Sequence, residues 1–190
     1  MTLKLAIWDV DGTIVDSREV IQRAMETAFR MSGFPPPDYD ETRKIVGLGL
    51  SEAIGVLKPD ADTVLLAQMT ENYKNAFLSN RTDPDFKEPL YSGALELLAD
   101  MQADGWLMGV ATGKSRRGLD AIFDMHDLGQ FFDTHWCADD GPGKPSPFMV
   151  EQNMSTLGCE ADQTMMIGDA TFDMIMARAA GVRALGVSWG

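Results

Sequence analysis

The feature that most constrains this chain is the way its first apolar run stops. Leu3 to Trp8 is short and apolar, and it gives way at once to Asp9-Val10-Asp11-Gly12-Thr13. A short apolar run bounded by turn residues marks a strand buried on both faces, and therefore a parallel sheet. In an open parallel sheet the ligand site lies beyond the carboxyl ends of the strands. The two aspartates thus stand where chemistry is done.

The rest of the pattern builds on that strand. Asp16 and Glu19 are spaced as the N-cap and N3 of a helix with Val20, Ile21, Ala24, Met25, Ala28 and Phe29 on one face. Gly33 and Pro35-Pro36-Pro37 end it. From about 38 to 79 the chain reads helical throughout, with Ser51 capping a short helix and Asp62 starting a long one. After Tyr91 helices and strands alternate: helix 92–103, strand 106–111, helix 115–125, strand 134–138, helix 147–157, strand 164–167, helix 172–180 and strand 182–187. Such alternation predicts an α/β fold, a doubly wound, Rossmann-like parallel sheet. The all-helical block cannot lie in that sheet. It is expected to form a small helical cap inserted after the first strand, with residues 1–14 and 86–190 as the core and 15–85 as the cap.

Each strand is followed by polar residues of a narrow kind. Asp9 and Asp11 follow the first, Thr112-Gly113-Lys114 the second, Asp139-Asp140 and Lys144 the third, and Gly168-Asp169 with Asp173 the fourth. Several carboxylates gathered at one edge repel unless a cation sits among them, and hard oxygen ligands suit Mg²⁺. A hydroxyl, a backbone amide and a lysine beside that cation make a site for a dianionic phosphoryl group.

The overall charge narrows the partners. A formal net charge of −13 over 190 residues opposes binding of a polyphosphate backbone, so no nucleic acid is expected. Cys137 and Cys159 lack any metal-site spacing and read as isolated buried thiols. His126 and His135 likewise read as surface or helix-end residues, and the 13 methionines as core filler. There is no run as long as a membrane span and no leader-like N-terminus, which points to the cytoplasm and away from membranes.

Taken together, Asp9-Val10-Asp11-Gly12-Thr13, Thr112, Lys144 and Gly168-Asp169 with Asp173 resemble, in order, the four motifs of the haloacid dehalogenase superfamily. The helical insertion is similar to the cap of phosphoglycolate-phosphatase-like members. The resemblance implies an aspartyl-phosphate on Asp9, with Asp11 as general acid and then base. It implies that Thr112 and the amide of Gly113 hold phosphoryl oxygens, and that Lys144 offsets charge beside the nucleophile. Gly12, Thr13, Lys114 and the Gly47 loop are expected at the substrate. Mg²⁺ is expected on Asp9, on Asp11 through its backbone carbonyl, on Asp169, and on Asp173 directly or one shell out. Asp139 and Asp140 read as a polar turn.

The implied reaction is hydrolysis of a small phosphorylated metabolite, phosphoglycolate or a similar phosphomonoester. Arg43, Lys44 and Arg81 are candidate partners for a second anionic group on it. A hydrolytic dehalogenase needs neither Asp11 nor Asp169, a sugar phosphomutase needs cap residues that do not stand out, and a non-enzymatic phospho-receiver lacks the insertion. Relatives usually continue past Val187-Ser188-Trp189-Gly190, so an apolar edge is expected exposed around Val187 and Trp189, open to a homodimer contact or costly to stability.

Overall fold

A computed structural model of the chain describes residues 4–81, 86 and 88–190. The expected strand start at Leu3 and the cap boundary near 85 lie outside the described residues. Five strands, β1 (Leu5–Trp8), β2 (Leu107–Ala111), β3 (Thr134–Trp136), β4 (Thr164–Gly168) and β5 (Arg183–Gly186), form one sheet in the order β3-β2-β1-β4-β5. Every pairing is parallel. β1 is central and wholly buried, as its unbroken apolar run requires.

The period-2 alternation of β1 feeds two cores. Ala6 and Trp8 join Val110, Leu119 and Ile122 on one face. Leu5 and Ile7 join Met149, Met166 and Met176 on the other. Helices α5 (Ala94–Ala103), α6 (Arg116–His126), α7 (Phe148–Leu157) and α8 (Thr171–Ala179) flank the sheet.

Between β1 and β2 run α1 (Arg18–Met31), α2 (Tyr39–Arg43), α3 (Leu50–Leu57) and α4 (Thr63–Arg81), with no strand among the described residues there. The six apolar residues expected on the inner face of α1 are all buried. Met25 and Phe29 of α1 meet Ile54 of α3 and Met69 of α4 in a core of their own.

Three helix starts differ from expectation. Asp16 does not cap α1. Its carboxylate takes the Arg18 guanidinium at 2.7 and 2.6 Å, a two-pronged pairing that outcompetes a single backbone N–H, and Ser17 stands at the cap. α3 begins one residue before Ser51, with Gly49 at its cap. α5 begins at Ala94, because Gly93 takes φ 82° and turns the chain there. Asp62 does open α4, accepting the Leu65 N–H at 2.8 Å.

The far edge of the sheet is open. All four residues of β5 are exposed, Leu185 at 51% and Trp189 beyond it at 48%. Trp189 is nonetheless anchored, its Nε1 donating to the Thr13 carbonyl at 3.1 Å.

Candidate active site

The loop after β1 is a tight turn held by its own backbone. Ile14 and Val15 both donate to the Val10 carbonyl at 2.9 Å, and Gly12 donates to Val15 at 2.9 Å. The turn places Gly12 at φ 79° against Asp169, whose Oδ2 would lie 2.3 Å from any added Cβ, so only glycine fits. Thr13 follows, and its hydroxyl donates to Asp169 Oδ1 at 3.3 Å. Gly12 and Thr13 therefore meet the carboxylate that follows β4.

Asp9 is 1% exposed, and its N–H is tied to the Ile167 carbonyl of β4 at 2.9 Å. Lys144, also 1% exposed, reaches it from the loop after β3. The Lys144 ammonium sits 2.6 Å from Asp9 Oδ1 and 2.6 Å from Asp173 Oδ1. The other Asp173 oxygen accepts the Ala170 N–H at 3.0 Å, which closes the start of α8 and fixes that side chain.

Oxygens of Asp9, Asp169 and Asp173 come within 4.8 Å of one another. Burial pushes the Asp9 carboxyl well above the usual range; Lys144 opposes this, while the charges of Asp173 and Asp169 add to it. Asp169 is raised by burial and then by Asp173. Burial alone would lower Lys144, but Asp173 and Asp9 outweigh it and hold it above the ordinary lysine range, so it stays cationic. Asp9 Oδ2 is buried with no hydrogen-bond partner among the described residues. A bare carboxylate oxygen beside two further raised or buried carboxylates fits a divalent cation such as Mg²⁺, whose hard charge prefers such ligands.

Asp11 is turned elsewhere. Its carboxylate pairs with Lys114 at 2.8 Å, and it is not one of the acidic trio. Lys114 also meets Glu88 at 3.4 Å, and Glu88 pairs with Arg81 from the end of α4 at 2.9 Å. Charges thus alternate along Asp11, Lys114, Glu88 and Arg81, with Glu88 and Lys114 buried. Sequence reasoning missed Glu88 altogether; Lys114, expected at the substrate, lines the cavity above Asp9 and also lies between two carboxylates. No periodicity and no motif in the sequence marks Glu88.

Thr112 is fully buried and its hydroxyl accepts the Lys114 N–H at 3.2 Å. Gly113 lies under the loop between α2 and α3, where a Cβ would stand 2.6 Å from the Gly47 carbonyl and 2.8 Å from that of Leu48. The Gly47 loop therefore presses onto the strand ends. Asp139 and Asp140 serve the polar turn: Asp139 accepts the Arg116 N–H at 2.8 Å, and Asp140 pairs with the Arg116 side chain.

A cavity of about 670 Å³ opens above these loops, bounded by Asp9, Asp11, Gly47, Gly113 and Lys114 below and by α1 and α4 above. Thr112, Lys144, Gly12 and Thr13 lie behind its wall rather than on it. Nucleophile-type carboxylate, cation, acidic trio and hydroxyl all arise at the carboxyl ends of four parallel strands.

The sequence profile described as haloacid dehalogenase-like hydrolase matches residues 6–187. The chain belongs to that family. It is 34% identical over 188 residues to a protein of Dickeya dadantii named "Probable phosphatase IndB", covering 98% of this chain and 81% of that one. It is 26% identical to phosphoglycolate phosphatase 1 of Pseudomonas aeruginosa, covering 98% of this chain and 70% of the other. The fold is shared with a haloacid dehalogenase-like hydrolase of Bacteroides fragilis at TM-score 0.91 and 23% identity, covering 100% and 89% of the two chains. This haloacid dehalogenase-like chain is thus a hydrolase of the phosphatase kind. Among its described residues no helix is long and apolar enough to cross a membrane.

Proposed function

We propose that the chain hydrolyses a phosphomonoester of a small metabolite with Mg²⁺ bound, through a phosphoryl group carried on Asp9. The observation that carries this reading is the surrounding of Asp9: Lys144 at 2.6 Å on one oxygen, no hydrogen bond on the other, and two further carboxylates within reach. Asp9, Asp169 and Asp173 would hold the metal, with the Asp11 backbone carbonyl as a further ligand. Bound there, Mg²⁺ supplies charge that lets a dianion approach a carboxylate.

The steps fall to the chain's own residues. An Asp9 oxygen forms a bond to phosphorus while the bond from phosphorus to the leaving oxygen breaks, and the Asp11 carboxyl gives that oxygen its proton. The Asp11 carboxylate then takes a proton from water as the water oxygen attacks phosphorus. Inorganic phosphate leaves and Asp9 is restored. The Thr112 hydroxyl and the Gly113 N–H hold phosphoryl oxygens, and Lys144 keeps Asp9 ionised and aimed. Lys114 orients Asp11. Residues 15–85 act as a cap over a core of 1–14 and 86–190, with the Gly47 loop closing on Gly113.

The test is intact-mass detection of a phosphorylated enzyme after rapid acid quench with substrate and Mg²⁺. A phosphoryl adduct in the wild type that is absent from Asp9→Asn, together with activity lost in chelator and regained with Mg²⁺, is expected. Full activity in excess chelator, or an adduct that persists in Asp9→Asn, refutes the reading.

A further inference from the structure

The cavity above Asp9 has a chemical character of its own. Its upper wall is built by Ile21 and Met25 of α1, Leu50 of α3, and Tyr73, Phe77 and Leu78 of α4. Tyr73 and Phe77 are one helical turn apart, and their rings lie at 25° to each other with centroids 6.0 Å apart, a continuous aromatic surface. The Tyr73 hydroxyl has no hydrogen-bond partner among the described residues, and burial raises its pKa beyond the ordinary tyrosine range. It stays a neutral phenol.

The inner cations of the cavity are already paired. Lys114 is held by Asp11 and Glu88, and Arg81 by Glu88. Both also lie over the Phe77 ring, at 5.6 and 5.2 Å from its centroid. Lys74 stands at the rim, half exposed and paired with Glu71, and Arg117 is exposed. Lys44 does not line the cavity, and Arg43 lines a separate small recess beside Asp169. Among the described residues, a second anionic group carried into this space would meet no buried cation free to receive it, and burying an unpaired charge is costly. Size points the same way. About 670 Å³ lies within the roughly 300–1,000 Å³ typical of sites for drug-sized ligands, and a short acid phosphate would leave most of it unfilled.

Resting on the phosphatase reading above, we propose that the alcohol released is uncharged and carries an apolar ring, which packs on Tyr73 and Phe77 while the phosphoryl group lies at Asp9. The substrate class is an aryl-alkyl phosphomonoester rather than the phosphate of a small carboxylic acid.

The test compares kcat/KM of the wild-type, Mg²⁺-loaded protein for 2-phenylethyl phosphate, ethyl phosphate and 2-phosphoglycolate. All three are primary alkyl esters, so the comparison reads the leaving group's shape and charge. The expected order places 2-phenylethyl phosphate above both others by at least about tenfold, the lower end of what one methylene is worth in an apolar pocket. In Phe77→Leu, which keeps an apolar side chain but removes the ring, the ratio of phenylethyl to ethyl ester should fall. A higher kcat/KM for 2-phosphoglycolate, or equal values for the phenylethyl and ethyl esters, overturns the substrate class and leaves the phosphatase reading standing. Failure to hydrolyse any of the three, or any other phosphomonoester, overturns both.

Discussion

Replacing Lys144 by methionine removes one charge and keeps most of the stem's volume. In the native protein this ammonium lies 2.6 Å from Asp9 and 2.6 Å from Asp173, with all three side chains at most 1% exposed. A pair of charges at 4 Å and an effective dielectric near 20 interacts by about 4 kcal/mol, and these contacts are closer. Desolvation of the three groups offsets much of that. Breaking a buried pair typically costs about 3–5 kcal/mol, because the partners stay behind uncompensated. For a chain of 190 residues each kcal/mol is worth about 2–4 °C, so melting in chelator should fall by about 6–20 °C.

The pH dependence gives a second readout from the same melts. Asp9 already titrates above its usual range, and Lys144 is the group that restrains it. Without Lys144 that carboxyl moves higher still. A carboxyl raised in the folded state favours folding below its unfolded pKa and loses that contribution as pH rises through the folded value. The gap between variant and wild type should therefore be widest near about pH 8 and narrow toward about pH 5. Melting followed by circular dichroism at both pH values is the assay. A variant that melts with wild type in chelator near neutral pH, or a gap that widens on acidification, would refute the argument.

Three further outcomes are expected. Saturating Mg²⁺, at about 100 times its Kd, should stabilise the protein by about 2.7 kcal/mol, or about 5–11 °C, and by less as the pH falls, because Asp9 and Asp169 are both raised and take up protons that compete with the metal. Asp11→Asn should lower kcat by roughly 10²–10⁴-fold with a poor leaving group and by less with a nitrophenyl ester, measured side by side in steady state. Gly113→Ala should lower kcat/KM roughly 10–10²-fold, because the new methyl would stand 2.6 Å from the Gly47 carbonyl and lift that loop off the site.

Much of this was legible in the linear chain because the signals are local. An apolar run of strand length stopping at Asp9 marks β1, and the helical spacing of Val20, Ile21, Ala24, Met25, Ala28 and Phe29 gives the buried face of α1. Strand ends converge in a parallel sheet, so strand assignment brings Asp9, Thr112, Lys144 and Asp169 to one side of it, and the motif resemblance separates them from Asp139 and Asp140. Helix starts were less legible. At Asp16 a guanidinium two residues away competes for the same carboxylate, and a capping pattern cannot weigh the two.

Only the tertiary structure decided which charge meets which. Asp11 and Asp9 are two residues apart and identical in type, yet one faces Lys114 and the other Lys144 and the acidic trio. Glu88 carries no pattern at all. It matters because the fold brings it between Lys114, 26 positions away, and Arg81 at the end of α4. The sequence determined that carboxylates and lysines gather at one sheet edge, since periodicity and turn chemistry act over a few residues. Their pairing, and the apolar cavity they leave, depend on distances of a few ångströms between segments far apart in the chain, where Coulomb energy and desolvation are settled by packing.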